Sequence, residues 1–144
     1  TSPLTIALRA ATASGTQTAG LIFGGLSDPG NTIYTGTQEY DGSSWTAGGG
    51  LNNSPAFLAA AGGQTTTIAA GGGPSFVASE SYDGSSWSID SSVATARSSM
   101  QRNASQAPSS AAILIGGSYP TTTAAVEEYT GGTSITTAST LTTS

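Results

Sequence analysis

The sequence predicts an all-β protein made of three repeated four-stranded units, and three observations carry that prediction. The six residues YDGSSW occur twice, at 40–45 and at 82–87. An apolar run ending in a glycine pair occurs three times, as GLIFGG (20–25), TIAAGG (67–72) and AILIGG (112–117). The polar remainder is mostly Thr, Ser and Gly, which suit strands and turns. Chance duplication of six residues that include a Tyr and a Trp is improbable, so the chain reads first as a repeat.

The glycine pairs begin at Gly24, Gly71 and Gly116 and the matching tyrosines are Tyr40, Tyr82 and Tyr129, a period of 42 to 47 residues. Such a period fits propeller blades or helical repeats, and the strand-favouring composition selects blades. The expected division of a single 1–144 domain is 4–50, 51–92 and 93–144.

Each unit then resolves into elements in order. The first strand lies in RAATASGTQ (9–17), which aligns without a gap to AFLAAAGGQ (56–64); ARSSMQRNASQ (96–106) takes that place in the third unit with about four additional residues. The second strand is the apolar run. Leu21-Ile22-Phe23 and Ile113-Leu114-Ile115 are apolar on both faces, as a strand between two neighbouring sheets should be. Gly24-Gly25 and its equivalents end that strand where backbones crowd or φ turns positive. The third strand ends in the Tyr, Asp41-Gly42 and Asp83-Gly84 supply hairpin-turn dipeptides, and the fourth strand opens with Ser-Ser-Trp. Tyr40, Trp45, Tyr82, Trp87 and Tyr129 are therefore expected to anchor the units by packing between them. The third unit departs from the pattern, with Thr130 at the turn Asp and no Trp.

Composition bounds the function. Only 8% of the 144 residues are charged, against about 25% typically, and the basic residues are Arg9, Arg97 and Arg102. A net charge of −5 leaves no cationic surface for phosphates or an anionic membrane, which argues against nucleic-acid and membrane partners. No apolar run approaches the ~20 residues of a spanning helix. Cys, His and Lys are absent, which removes disulfides, the usual general base, Schiff-base chemistry and most transition-metal ligands. The expectation is a non-enzymatic chain with no cofactor. Its start at Thr1, with no signal-peptide-like segment, reads as a processed or trimmed product.

Several motifs invite chemistry and are better explained by structure. Glu127-Glu128, with Gln38, Glu39 and Glu80 at matching positions, suggests the paired carboxylates of glycoside hydrolysis. Adjacent strand residues point to opposite faces, however, and these groups recur before every unit's Tyr. The Asp-Gly-Ser-Ser loops offer one carboxylate each, too few for calcium. Asn52-Asn53-Ser54 and Asn103-Ala104-Ser105 match the short glycosylation pattern. The loops after the glycine pairs, 26–36, 73–79 and 118–126, vary in length and each carries one aromatic, Tyr34, Phe76 and Tyr119. In a propeller these gather on one face, as a recognition or assembly surface, unless each ring caps its own unit.

A glycine pair after an apolar strand, a Tyr-Asp turn and a Trp about five residues after the Tyr resemble the kelch repeat, a resemblance that covers nearly the whole chain, and the pattern is similar to kelch-like arrays in tail or surface proteins of marine phages. The resemblance implies four-stranded blades and an extracellular or virion-surface role, as a tail, fibre or capsid-decoration component. It also brings copper oxidases to mind, but those need His and a Cys crosslink that this chain lacks. Propellers close with about four to eight blades, so three must be completed by a second copy, by a longer array or by stacking along an open helix. Two copies around a two-fold axis would leave no free face. The expected partners are other copies or other surface proteins, and the competing reading is a glycan-binding module that uses the loop aromatics.

Overall fold

Each apolar run forms a strand that stops at its glycine pair. In a computed structural model, which describes residues 2–53, 56–73, 77–99, 110–118, 121–122, 124, 126–130 and 133–135, the first unit holds β1 (Leu8–Arg9), β2 (Thr12–Gly15), β3 (Gly20–Phe23), β4 (Leu26–Ser27), β5 (Thr32–Ile33), β6 (Thr37–Tyr40) and β7 (Trp45–Gly48). The second holds β8 (Ala59–Gly63), β9 (Thr66–Ala70), β10 (Ser79–Tyr82) and β11 (Trp87–Asp90). The third holds β12 (Ala111–Ile115), β13 (Val126–Thr130) and β14 (Thr133–Ile135). No helix occurs among the described residues.

All the ladders are antiparallel, and their order follows the repeat. The first sheet runs β2-β3-β6-β7, the second β8-β9-β10-β11 and the third β12-β13-β14. The protein is therefore all-β, with a repeated meander as its unit. The segment expected to supply the third unit's first strand falls largely outside the described residues. A small fourth sheet, β1-β4-β5, was not anticipated: the loop 26–36 folds back as a two-stranded ribbon and pairs with Leu8–Arg9.

The glycine pairs hold positive φ in all three units, at 63° and 92° for Gly24 and Gly25, 67° and 88° for Gly71 and Gly72, and 63° and 103° for Gly116 and Gly117. At Gly25 a Cβ would also stand 2.7 Å from the Ala11 backbone, so both the conformation and the space demand glycine. The Tyr-to-Trp turn is a four-residue Asp-Gly-Ser-Ser loop rather than a two-residue hairpin. Tyr40 pairs with Trp45 and Tyr82 with Trp87 across it. Asp41 Oδ1 accepts the Ser43 and Ser44 amides at 2.8 Å each, and Asp83 Oδ1 accepts those of Ser85 and Ser86 at 2.8 Å. The side chain closes the turn as an Asx motif.

Consecutive sheets stack face to face because strand alternation gives each an apolar side in both directions. Leu21 and Phe23 of β3 meet Ala60, Ala69, Tyr82 and Trp87 of the second sheet, with Leu51 and Leu58 completing that layer. On the other side of the second sheet, Ala61 and Ile68 meet Ala112 and Tyr129, and Ala59 and Ala70 meet Leu114 and Val93. The Ala-rich strands β8 and β9 allow this close stacking.

One polar device repeats with the units. The side chain two residues before each Tyr clasps the backbone that enters its own unit. Gln38 Oε1 accepts the Thr5 amide at 2.9 Å, Glu80 accepts the Asn52 and Asn53 amides at 2.8 and 2.7 Å, and Glu127 accepts the Ala94 amide at 2.8 Å. All three acceptors are buried, and their oxygens accept backbone amides that would otherwise be costly to bury, although the Gln38 side-chain nitrogen stays without a hydrogen-bond partner among the described residues.

Candidate interaction surfaces

The filled junction between the first two sheets shows what a completed contact requires. Trp87 lies 4.6 Å from the Phe23 ring and 5.0 Å from Tyr82, and its indole N–H donates to Thr37 Oγ1 at 2.8 Å. The Tyr82 hydroxyl donates to Glu39. Burial, then the neighbouring Glu39 carboxylate, push the Tyr82 phenol above its ordinary range, so it remains a donor. Thr12 Oγ1 donates to the Leu58 carbonyl at 2.8 Å, and Gln64 Nε2 reaches the Gly20 and Tyr40 carbonyls at 3.1 and 2.7 Å. A backbone ladder also steps between units: the Phe57 amide donates to Ala10 and the Ser99 amide to Phe57, both at 3.3 Å. Ala10, Phe57 and Ser99 share positive φ of 52°, 64° and 54°. Between the second and third sheets the Tyr129 hydroxyl donates to Asp90.

The five expected anchors therefore divide. Tyr82, Trp87 and Tyr129 are buried against the preceding unit. Tyr40 and Trp45 stack on each other at 4.9 Å on the side of the first sheet that faces away from the second, and Trp45 is only half-buried. Trp45, expected to pack between units, meets Tyr40 across its own hairpin. Gln17, the counterpart of Gln64, is exposed on that same unit. At the other end, Ile113, Ile115 and Glu128 point away from the second sheet, and Ile115 is 44% exposed where its counterpart Phe23 is 0%. Beside them lies a depression of about 200 Å³ lined by Ala111, Ala112, Ile113, Glu128 and Tyr129.

Of the loop aromatics, Tyr34 is half-buried with its ring against Gly36, and burial raises its phenol while Gln38 opposes the shift. Phe76 and Tyr119 lie outside the described residues. Glu127 and Glu128 do point to opposite faces, one buried and one exposed. The Asn52 side-chain amide, the atom that glycosylation would modify, donates to Glu80 at 3.1 Å and to the Trp87 carbonyl at 2.8 Å. Sequence reasoning missed Arg97, which is fully buried and paired with Glu127, and which donates to the Gly116 carbonyl at 3.1 Å. Among the described residues no group of His, Cys, Asp or Glu is placed to hold a metal, and no helix is long and apolar enough to cross a membrane.

The turn aspartates give the protein a pH dependence. The Ser86 and Ser85 amides, with the Ser85 hydroxyl, hold Asp83 down to about 2, and the Ser44 and Ser43 amides lower Asp41 as well. Both lie below the unfolded value of about 3.9. Their contribution is therefore complete above about pH 5 and is lost as pH falls towards 2. The melting temperature should drop between pH 5 and pH 2.5, and the paired Asp41→Asn and Asp83→Asn change should flatten that drop. A slope identical in the variant would locate the acid sensitivity elsewhere.

No protein-family model matches this chain, and neither does any curated protein.

Proposed function

We propose that the chain is a non-enzymatic structural or adhesive protein of an extracellular or virion surface, a kelch-like array of blades that belongs to a larger assembly. The observation that carries this reading is the repeated junction. The first and second sheets, then the second and third, meet through equivalent strands, and at the two ends Ile115 is exposed and Trp45 half-buried where their counterparts Phe23 and Trp87 are buried. Apolar faces of that kind belong to chains that assemble. The small charged fraction and the absence of His, Lys and Cys support a role in building rather than in chemistry.

The competing glycan-binding reading rests on Tyr34, Phe76 and Tyr119, and Tyr34 tucks into its own unit. The chain alone should bind a dye that reports exposed apolar surface, or else associate. A monodisperse, thermally robust species of 14.0 kDa that binds no dye would overturn the assembly reading. Retention on immobilised glycans that Tyr34→Ala abolishes, with melting unchanged, would favour the competing one.

A further inference from the structure

The two open faces are opposite halves of a contact the chain already makes internally. Resting on the assembly reading above, we propose that a second copy of this chain covers them head to tail, with its Gln17, Tyr40 and Trp45 seated on Ile113, Ile115 and Glu128 of the first copy. Aligned by the glycine pairs and the tyrosines, Ile113 and Ile115 occupy the places of Leu21 and Phe23, and Glu128 occupies that of Glu39. The cross-strand pairing agrees, since Leu21 stands opposite Glu39 and Ile113 opposite Glu128.

The polar requirements match as well. Tyr82 donates its hydroxyl to Glu39 in the filled junction. Tyr40, whose hydroxyl turns back to its own Gly42 carbonyl at 2.9 Å, would donate to Glu128 of the other copy. Gln64 bridges the Gly20 and Tyr40 carbonyls. Gln17 of the second copy falls at the equivalent place, over Ala112 and Tyr129, both of which line the 200 Å³ depression. One partner differs: Val126 stands where Thr37 receives the Trp87 indole, so Trp45 gains packing without that hydrogen bond.

A second copy is the occupant these observations select because each face lacks what the other end of the same chain displays. An exposed carboxylate beside two isoleucines is matched by a phenol, a carboxamide and an indole. Two copies joined at both ends would present six units, within the range in which such arrays close.

The experiment is native mass against concentration for the full chain and for Glu128→Arg and Ile115→Asp, both at exposed positions. The expected result is a species of twice 14.0 kDa that both substitutions reduce to a single chain with an unchanged β-sheet circular dichroism spectrum. An oligomer that neither substitution alters would overturn this contact and leave the assembly reading standing. A wild-type monomer that binds an apolar-surface dye would also overturn it, assigning the faces to a different chain, whereas a robust monomer that binds no dye would overturn both.

Discussion

Trp87→Ala should destabilise the chain by about 3–5 kcal/mol, the range for deleting a large buried aromatic, whereas Trp45→Ala should cost no more than about half as much. The two tryptophans have the same local sequence and the same partner across the hairpin. What differs is the far side of the sheet. Trp87 is 5% exposed, packed on Phe23 and hydrogen-bonded to Thr37, so its removal opens a cavity and leaves a buried hydroxyl without its donor. Trp45 stacks on Tyr40 of its own unit and is half-buried, so truncation there loses that stacking and part of its burial. Urea melts at low concentration, where copies are apart, would separate the two substitutions by a clear shift in midpoint. If two copies associate as proposed, the gap should narrow at higher concentration. Equal losses in the dilute chain would mean that the open face is covered within a single copy.

This contrast marks how far the sequence could be read. Positions whose backbone admits few residue types were legible: the glycine pairs, the Asp-Gly-Ser-Ser loops and the apolar strands between them recur because φ, space and alternation demand them. The clasp by Gln38, Glu80 and Glu127 was visible as a recurrence, although its target, the incoming backbone at Thr5, Asn52 and Ala94, shares no side-chain type. The ribbon β4-β5 was hidden because its strands are two residues long and Thr32 and Ile33 are exposed, which leaves no periodic signal. The state of Tyr40 and Trp45 could not be read locally at all, since burial of a sheet face depends on the next sheet. Arg97 gave no signal for a related reason: set by the structural ladder of Ala10, Phe57 and Ser99, its counterparts in the sequence are Leu8 and Pro55, so no repeat drew attention to it.

Arg97 is where breaking one contact should matter as much as losing Trp87. Its side chain is 0% exposed and Glu127 is 3% exposed, so the pair is held away from water. Glu127 also accepts the Ala94 amide, and Arg97 also donates to the Gly116 carbonyl at the end of β12. The pair thus ties the entry of the third unit to the glycine pair that ends its apolar strand. Removing one member leaves the other charge buried, which typically costs 3–5 kcal/mol. Arg97→Met should therefore destabilise by roughly that amount, and Glu127→Gln by somewhat less, because the amide oxygen can still accept from Ala94. The double change Arg97→Met with Glu127→Gln should recover part of the loss, since no uncompensated charge remains. Denaturant melts of the two single variants and the double variant form the test. Because the pair is buried, added salt should change the wild-type midpoint little through this contact. Strictly additive losses would show that the two charges are not coupled.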